Sequence, residues 1–259
     1  MKVDQMPILG STGAPRKRSV TTTAILLLAL LVRAEVAVGG DSFSAGVTAY
    51  ERGDFDTAAR AFHDSASAQP AAGTFLNLGN AEWKRERTAG AILAWERALW
   101  LNPREGNAKT NLAFARSTAQ LESPQLAWHE VASTWLPANT WVWIAAGSLW
   151  LTGAMLVLPG IFRGRKSSWH QAVAALGLGV FILSLPANFG VITRSRTGFI
   201  TAMETPLRLT PTANAEMVTK LSAGEPARLI RTRGNFLFIR TSHAEGWVES
   251  ADMELICGR

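Results

Sequence analysis

The sequence is poor in the residues and motifs on which most enzymes and metal sites depend. It has a single cysteine, Cys257, so an intramolecular disulfide and a cysteine-based metal site are both excluded. Its four histidines are scattered, and none has a second histidine or cysteine at the spacing of metal ligands. The sequence also lacks a glycine-rich phosphate loop and the Gly-x-Ser-x-Gly turn of serine hydrolases. We therefore expect a protein that is not an enzyme and that holds no metal or cofactor.

Charge is absent from two long stretches near the middle of the chain. Residues 141–162 and 172–193 each run for 22 positions without Asp, Glu, Lys, Arg or His. A bilayer core requires about 20 apolar residues of helix, and a helix satisfies the backbone polar groups inside lipid. The two stretches predict a transmembrane helical hairpin over residues 141–193. A pair of helices buried in a globular core is the alternative.

Basic residues predict the orientation of this hairpin. The short connection between the two stretches contains Arg163, Arg165 and Lys166, whereas the fifteen residues before the first stretch contain no lysine or arginine. Short loops that are rich in lysine and arginine remain in the cytoplasm. We therefore expect a cytoplasmic connection, with both flanking regions on the opposite side of the membrane.

The first 40 residues predict an export signal. Basic residues, including those at positions 16–18, precede a short apolar run at residues 24–32, and small residues follow. Cleavage near residue 39 and retention as an anchor are both open. Either outcome exports the chain from Asp41 onward.

A net charge of +6 and a pI near 10.1 invite a nucleic-acid interpretation, but the distribution of charge excludes it. Residues 41–138 contain nine basic and eleven acidic side chains, and residues 194–259 contain nine and seven, so together they carry no net charge. The basic excess belongs to the export signal and the hairpin connection. We expect a lipid bilayer, and no nucleic acid, as a partner.

An internal repeat covers residues 41–121. Segment 43–70 aligns with segment 75–103 at a period of 33, and each reads as a helix, a turn and a second helix that ends at a proline. Equivalent positions match in size: Gly46 with Gly79, Ala58 with Ala91, Phe62 with Trp95, and Pro70 with Pro103. Small residues let the two helices of a unit approach closely, and the aromatic residues fill the space between units.

This pattern resembles the tetratricopeptide repeat. The resemblance implies that the first helices of the units line a concave groove for an extended peptide. Local packing of individual side chains is the alternative for each residue in this frame. The candidates for the groove are Tyr50, Asn80, Trp83, Lys84, Asn111 and Phe114, together with Val47.

After a linker at residues 122–140 and the hairpin, the pattern becomes strand-like. Short β-prone runs between glycine turns predict a small, partly open barrel over residues 197–259. The order of LRLTP (207–211), LSAGE (221–225), GNF (234–236) and GWV (246–248) resembles bacterial SH3-like domains. Arg208 and Trp247 are the candidates for a binding face on this domain. Trp247 is either a platform for a peptide or glycan or a core anchor, and small barrels favour the core role.

The whole chain predicts a multidomain membrane protein with an all-α tetratricopeptide array, a two-helix transmembrane hairpin and a small all-β SH3-like barrel. The order of these parts, with NLGNA at 77–81 and NLAFAR at 111–116, resembles the BatE-like family of tetratricopeptide-SH3 membrane proteins from Bacteroides aerotolerance (Bat) operons. This resemblance implies a multi-pass protein of the bacterial inner membrane, with both soluble domains in the periplasm. It also implies von Willebrand A-type membrane proteins and a MoxR-type ATPase as partners, and a link to envelope or oxidative stress.

Two functions follow as hypotheses. The first is a membrane-anchored adaptor that binds proteins on the periplasmic side. The second is a cell-envelope protein that binds peptidoglycan through the SH3-like domain.

Overall fold

The computed structural model describes residues 37–161 and 168–257. The basic positions of the expected export signal and of the hairpin connection therefore lie outside the described residues. Within the described residues the order of elements is a helical array, two long apolar helices and an antiparallel β-sheet. The predicted change from helical to strand-like structure after the hairpin is confirmed.

The helical array consists of five helices in which consecutive helices pack against each other. The turn between the first two is well defined, because Gly53 adopts a positive φ of 79° and the Asp54 side chain caps the following helix by accepting from the Thr57 N–H. The helices are α1 (Ala37–Glu51), α2 (Phe55–Ala68), α3 (Ala72–Lys84), α4 (Thr88–Leu101) and α5 (Gly106–Ala119).

The sequence repeat has a direct structural counterpart. A Cβ atom at Gly46 would lie 2.7 Å from the ring of Phe62, and a Cβ atom at Gly79 would lie 2.5 Å from Nε1 of Trp95. Real Cβ atoms do not come this close to a ring, so only glycine fits at both positions. The first helix of each pair therefore approaches an aromatic residue of the second helix in the same way.

Two long helices, α7 (Ala138–Ile161) and α8 (Ser168–Arg194), follow the short helix α6 (Trp128–Ser133). By length and composition, α7 and α8 are apolar enough to cross a membrane. They pack together where Gly177 meets Thr152 and the carbonyl of Ser148. Only 11% and 22% of their most apolar windows are buried inside the protein, so they do not form the core of a globular domain.

The β-sheet has seven antiparallel strands in the order β3-β2-β6-β5-β4-β1-β7. Its core contains Ile200, Leu207, Leu237, Ile239 and Val248, all nearly inaccessible to solvent. The strands are β1 (Thr197–Ile200), β2 (Thr205–Arg208), β3 (Met217–Leu221), β4 (Pro226–Arg233), β5 (Phe236–Arg240), β6 (Glu245–Glu249) and β7 (Met253–Leu255).

The sheet and the helical array share a hydrophobic core. Phe199 of β1 and Ile256, just after β7, are buried in the same cluster as Ile92 and Trp95 of α4. Arg97, also on α4, donates to the backbone carbonyls of residues 255 and 256 at 3.0 and 3.3 Å. The sheet therefore covers the second helix of the second unit, and it leaves the face formed by α1, α3 and α5 open.

A second contact joins the sheet to the long helices through α6. Glu130 of α6 is fully buried, and its carboxylate oxygens lie 2.8 and 2.9 Å from the two terminal nitrogens of Arg228 in β4. On the other side, α6 rests on α8 at Gly190, where an added Cβ would lie 2.1 Å from the carbonyl oxygen of His129. The short helix therefore fixes the sheet against the end of α8.

Candidate functional site

Six of the seven predicted groove residues line one concavity of about 190 Å³ on the open face of the array. The seventh, Val47, is not part of the concavity and packs against the core cluster that contains Phe62. Tyr50 comes from the last turn of α1. The other five come from α3 and α5, and Trp95 of α4 forms the floor behind them. The face is built by the first helix of each unit because the second helices turn their aromatic residues inward, onto Gly46 and Gly79. The residues that line the concavity are Tyr50, Asn80, Trp83, Lys84, Trp95, Asn111 and Phe114.

Two asparagines at the centre of the groove form an ordered amide network. The side-chain oxygen of Asn80 accepts from the indole N–H of Trp95 at 3.2 Å and from the amide nitrogen of Asn111 at 2.9 Å. These bonds fix the orientation of both amides. They leave the side-chain nitrogen of Asn80 and the side-chain oxygen of Asn111 available, as one donor group and one acceptor.

Aromatic edges form one wall of the groove. The ring of Trp83 lies 5.8 Å from Phe114 in an edge-on arrangement and 6.1 Å from Trp95. Phe114 is nevertheless 61% exposed, although it is a large apolar side chain on a well-packed helix. An exposed aromatic side chain next to oriented amides is typical of a binding surface.

Lys84 contributes a positive charge at the end of the groove. It is exposed at the last position of α3, and no ion pair joins it to any acid in residues 37–161 or 168–257. By contrast, its neighbour Arg85 forms ion pairs with Asp56 at 2.7 Å and with Glu82 at 2.9 Å. Lys84 is therefore free to meet a negative group of a ligand.

The two residues predicted for the face of the β-sheet lie in adjacent strands, with Arg208 of β2 paired to Trp247 of β6. Trp247 is only 5% exposed. Phe238 lies against it with the ring centroids 5.2 Å apart. The guanidinium of Arg231 covers both rings, at 5.1 Å from the centroid of Trp247 and 4.8 Å from that of Phe238. Trp247 therefore packs as an anchor across the strands and presents no open platform. Arg208 is partly buried and reaches the carbonyl of Ala215 at 3.4 Å.

Trp95 is not among the groove residues that the sequence predicts, because the repeat frame assigns it to packing between units. It fills both roles, since its ring packs on Gly79 while its N–H orients Asn80. The sequence did contain one indication of this second role. Trp95 stands where the first unit has Phe62, and of these two side chains only the indole of tryptophan has a hydrogen-bond donor. Nothing comparable in the sequence indicates that Arg231 covers the rings of Phe238 and Trp247.

No protein-family model, no curated protein and no solved structure matches this chain. Within the described residues, no group of three or more His, Cys, Asp or Glu side chains could hold a metal ion. The features that bear on function are therefore the geometry of the groove and the two long apolar helices.

Proposed function

We propose that this protein is a membrane-anchored adaptor whose helical groove binds an extended peptide segment of a partner protein. The observation that carries the proposal is the convergence of Asn80, Asn111, Lys84 and Phe114 on one open face, while the opposite face is covered by the β-sheet. The array is then a minimal tetratricopeptide array, and the sheet is an SH3-like domain that supports it.

The chemistry of the groove matches a peptide better than a small molecule. A concavity of about 190 Å³ is smaller than the roughly 300–1,000 Å³ of small-molecule pockets, and it has room for one or two side chains. The available donor of Asn80 and the acceptor of Asn111 complement one peptide unit, which presents one C=O and one N–H. Phe114 supplies an apolar contact, and Lys84 attracts a carboxylate.

The anchor follows from α7 and α8. Only a few residues separate the two helices in sequence, so a chain that crosses the bilayer through α7 returns through α8. The helical array and the β-sheet then lie on the same side, which we assign to the periplasm of a bacterial inner membrane. Membrane proteins of the von Willebrand A type, acting with a MoxR-type ATPase, are the partners that the Bat-like order of parts suggests.

The test is photocrosslinking in the native membrane with the full-length chain. A photoreactive residue at position 114 should give discrete protein adducts. The same residue at His63, exposed on the outer face of α2, should not. Lys84→Gln or Asn111→Ala should lower the yield at position 114 by about fivefold or more, because each removes a polar contact worth about 1 kcal/mol.

Arg52→Gln is the matched control for Lys84→Gln, since Arg52 is also exposed but lies outside the groove. Equal adducts from positions 63 and 114, or yields that Lys84→Gln and Asn111→Ala leave unchanged, would contradict the proposal. Protease access to both soluble regions in spheroplasts, but not in intact cells, is the separate result expected for the anchor.

A further inference from the structure

A second cavity, of about 300 Å³, lies where the helical array, the end of α8 and the start of β1 meet. We name it the junction cavity. It is separate from the groove and shares no lining residue with it. The charged side chains that line it are Glu96, Lys109, Arg116 and Arg194, and the hydroxyl side chains are Ser123, Thr134 and Thr197.

The junction cavity has an excess of positive charge. Three cations line it, and Glu96 is the one carboxylate among its lining residues. Glu96 is engaged by Arg116 in an ion pair. Neither Lys109 nor Arg194 forms an ion pair with any acid in the described parts of the chain. Glu130, the other acid that acts on Arg194, is occupied by Arg228.

Arg194 is the most constrained of these cations. It is 9% exposed, it lies over the ring of Trp100 at 5.1 Å, and its terminal Nη1 donates to the hydroxyl of Ser133 at 3.1 Å. A guanidinium carries five N–H donors, and this is the one hydrogen bond that the described residues supply. A buried cation with most donors unused is costly unless an anion or water completes its shell.

Two further polar atoms of the lining residues have no hydrogen-bond partner among the residues that the structure describes. Thr197 is 95% buried, and its hydroxyl makes no hydrogen bond to any described residue. Nε of Arg116 is buried and unpaired as well. Buried polar atoms almost always find a partner, so the hydroxyl of Thr197 and Nε of Arg116 are spare donors beside an excess of positive charge.

We propose that the junction cavity binds a phosphate group. A phosphate carries up to two negative charges, which matches the two uncompensated cations, and its oxygens accept from guanidinium and hydroxyl groups together. Leu99, Leu126 and Ile256 form apolar walls beside the polar groups and can contact a glycerol or acyl portion. Arg194 ends a helix that is long and apolar enough to cross a membrane, so a phospholipid headgroup and a free phosphate ester are the two sources of this chemistry.

The experiment uses the delipidated full-length chain in detergent. In one arm, inorganic phosphate is titrated in a calorimeter. In the other, phosphatidylglycerol is added and the retained lipid is counted by native mass spectrometry. Lys109→Gln and Thr197→Val should each weaken the binding that occurs by about tenfold, because each removes one hydrogen-bond donor to a charged group.

Lys109 is exposed and Thr197→Val keeps the shape of the side chain, so both variants should fold with an unchanged thermal midpoint. Arg52→Gln is the control that removes an exposed charge elsewhere on the array, and it should leave binding unchanged. Binding of phosphate alone assigns the cavity to a soluble phosphate ester, and retention of lipid assigns it to a headgroup. Binding in neither arm, or binding that both cavity variants leave unchanged, overturns the proposal.

Discussion

The two helix pairs of the array have the same interior and different exteriors. In both pairs a glycine of the first helix faces an aromatic ring of the second, at Gly46 with Phe62 and at Gly79 with Trp95. The outward positions diverge. Arg60 in the first pair is exposed, whereas Leu93, its equivalent 33 residues later, is 4% exposed in the core shared with the sheet.

This difference shows that the repeat encodes two kinds of information. Positions that face the partner helix keep their size from one unit to the next, because they specify the helix pair itself. Positions that face outward change character, because they decide what docks on the unit. Asp64 remains in solvent, and its equivalent Arg97 holds the backbone at the end of the sheet.

The largest effect on stability is expected from truncating a side chain on the outward face of the second helix pair. Leu93→Ala should lower the free energy of unfolding by about 2–4 kcal/mol, because it leaves a void in the shared core. Arg60→Ala, at the equivalent position, should change it by less than about 0.5 kcal/mol. Thermal unfolding of the full chain in detergent, followed by far-ultraviolet circular dichroism, measures both. Equal effects would show that the sheet does not depend on this face.

The shared interior is tested by adding one methyl group. Gly79→Ala places a Cβ 2.5 Å from the indole of Trp95 and should cost about 1–3 kcal/mol of unfolding free energy. Gly46→Ala should have a similar cost, since its Cβ meets Phe62. The control is Gly73→Ala, on the same helix as Gly79 with open space around it, which should stabilise by up to about 1 kcal/mol. A stable Gly79→Ala variant would mean that the repeat packing tolerates a shift of the helices.

The smallest effect on stability is expected at the second contact of the sheet, the ion pair between Glu130 of α6 and Arg228 of β4. Burial disfavours the charged form of Glu130, but Arg228, the N–H of residue 127 and the hydroxyl of Thr193 outweigh it, so its pKa is lowered. The ion pair therefore stabilises the folded state above the ordinary glutamate pKa, and the stability is lost as the pH falls through the lowered value. Glu130→Gln should cost about 1–2 kcal/mol at neutral pH and give a shallower acid dependence.

The difference between the wild type and Glu130→Gln in thermal midpoint, followed from neutral to acidic pH, checks this expectation. Glu51→Gln removes an exposed glutamate on α1 and should reproduce the acid dependence of the wild type. A constant difference at all pH values would show that the Glu130 carboxylate contributes through shape alone.

The sequence predicted those features whose signal is local. Period, residue size and turn residues located the helix pairs, the two long apolar helices and the strands. The repeat frame selected seven residues, and the structure gathers six of them around one concavity. Passage through a membrane and the identity of the two soluble domains remain predictions.

The features that the sequence did not predict depend on contacts between distant residues. Glu130 and Arg228 are 98 positions apart, and neither stands in a motif. The burial of Phe199 against α4 could not be read from its strand, because alternation along a strand indicates that a side chain is buried and not what covers it. The junction cavity is formed by several distant parts of the chain at once, and no single segment indicates it.

The connection between α8 and β1 has a mechanical consequence. Only Ser195 and Arg196 separate the end of the helix at Arg194 from the first strand at Thr197, and that strand packs directly into the array. This short connection, together with the contacts of α6 with both α8 and β4, restricts the motion of the groove relative to α8. Under the proposed function, with α7 and α8 in a bilayer, the array would hold a bound segment at a fixed height above the lipid, and lengthening this connection would release that constraint.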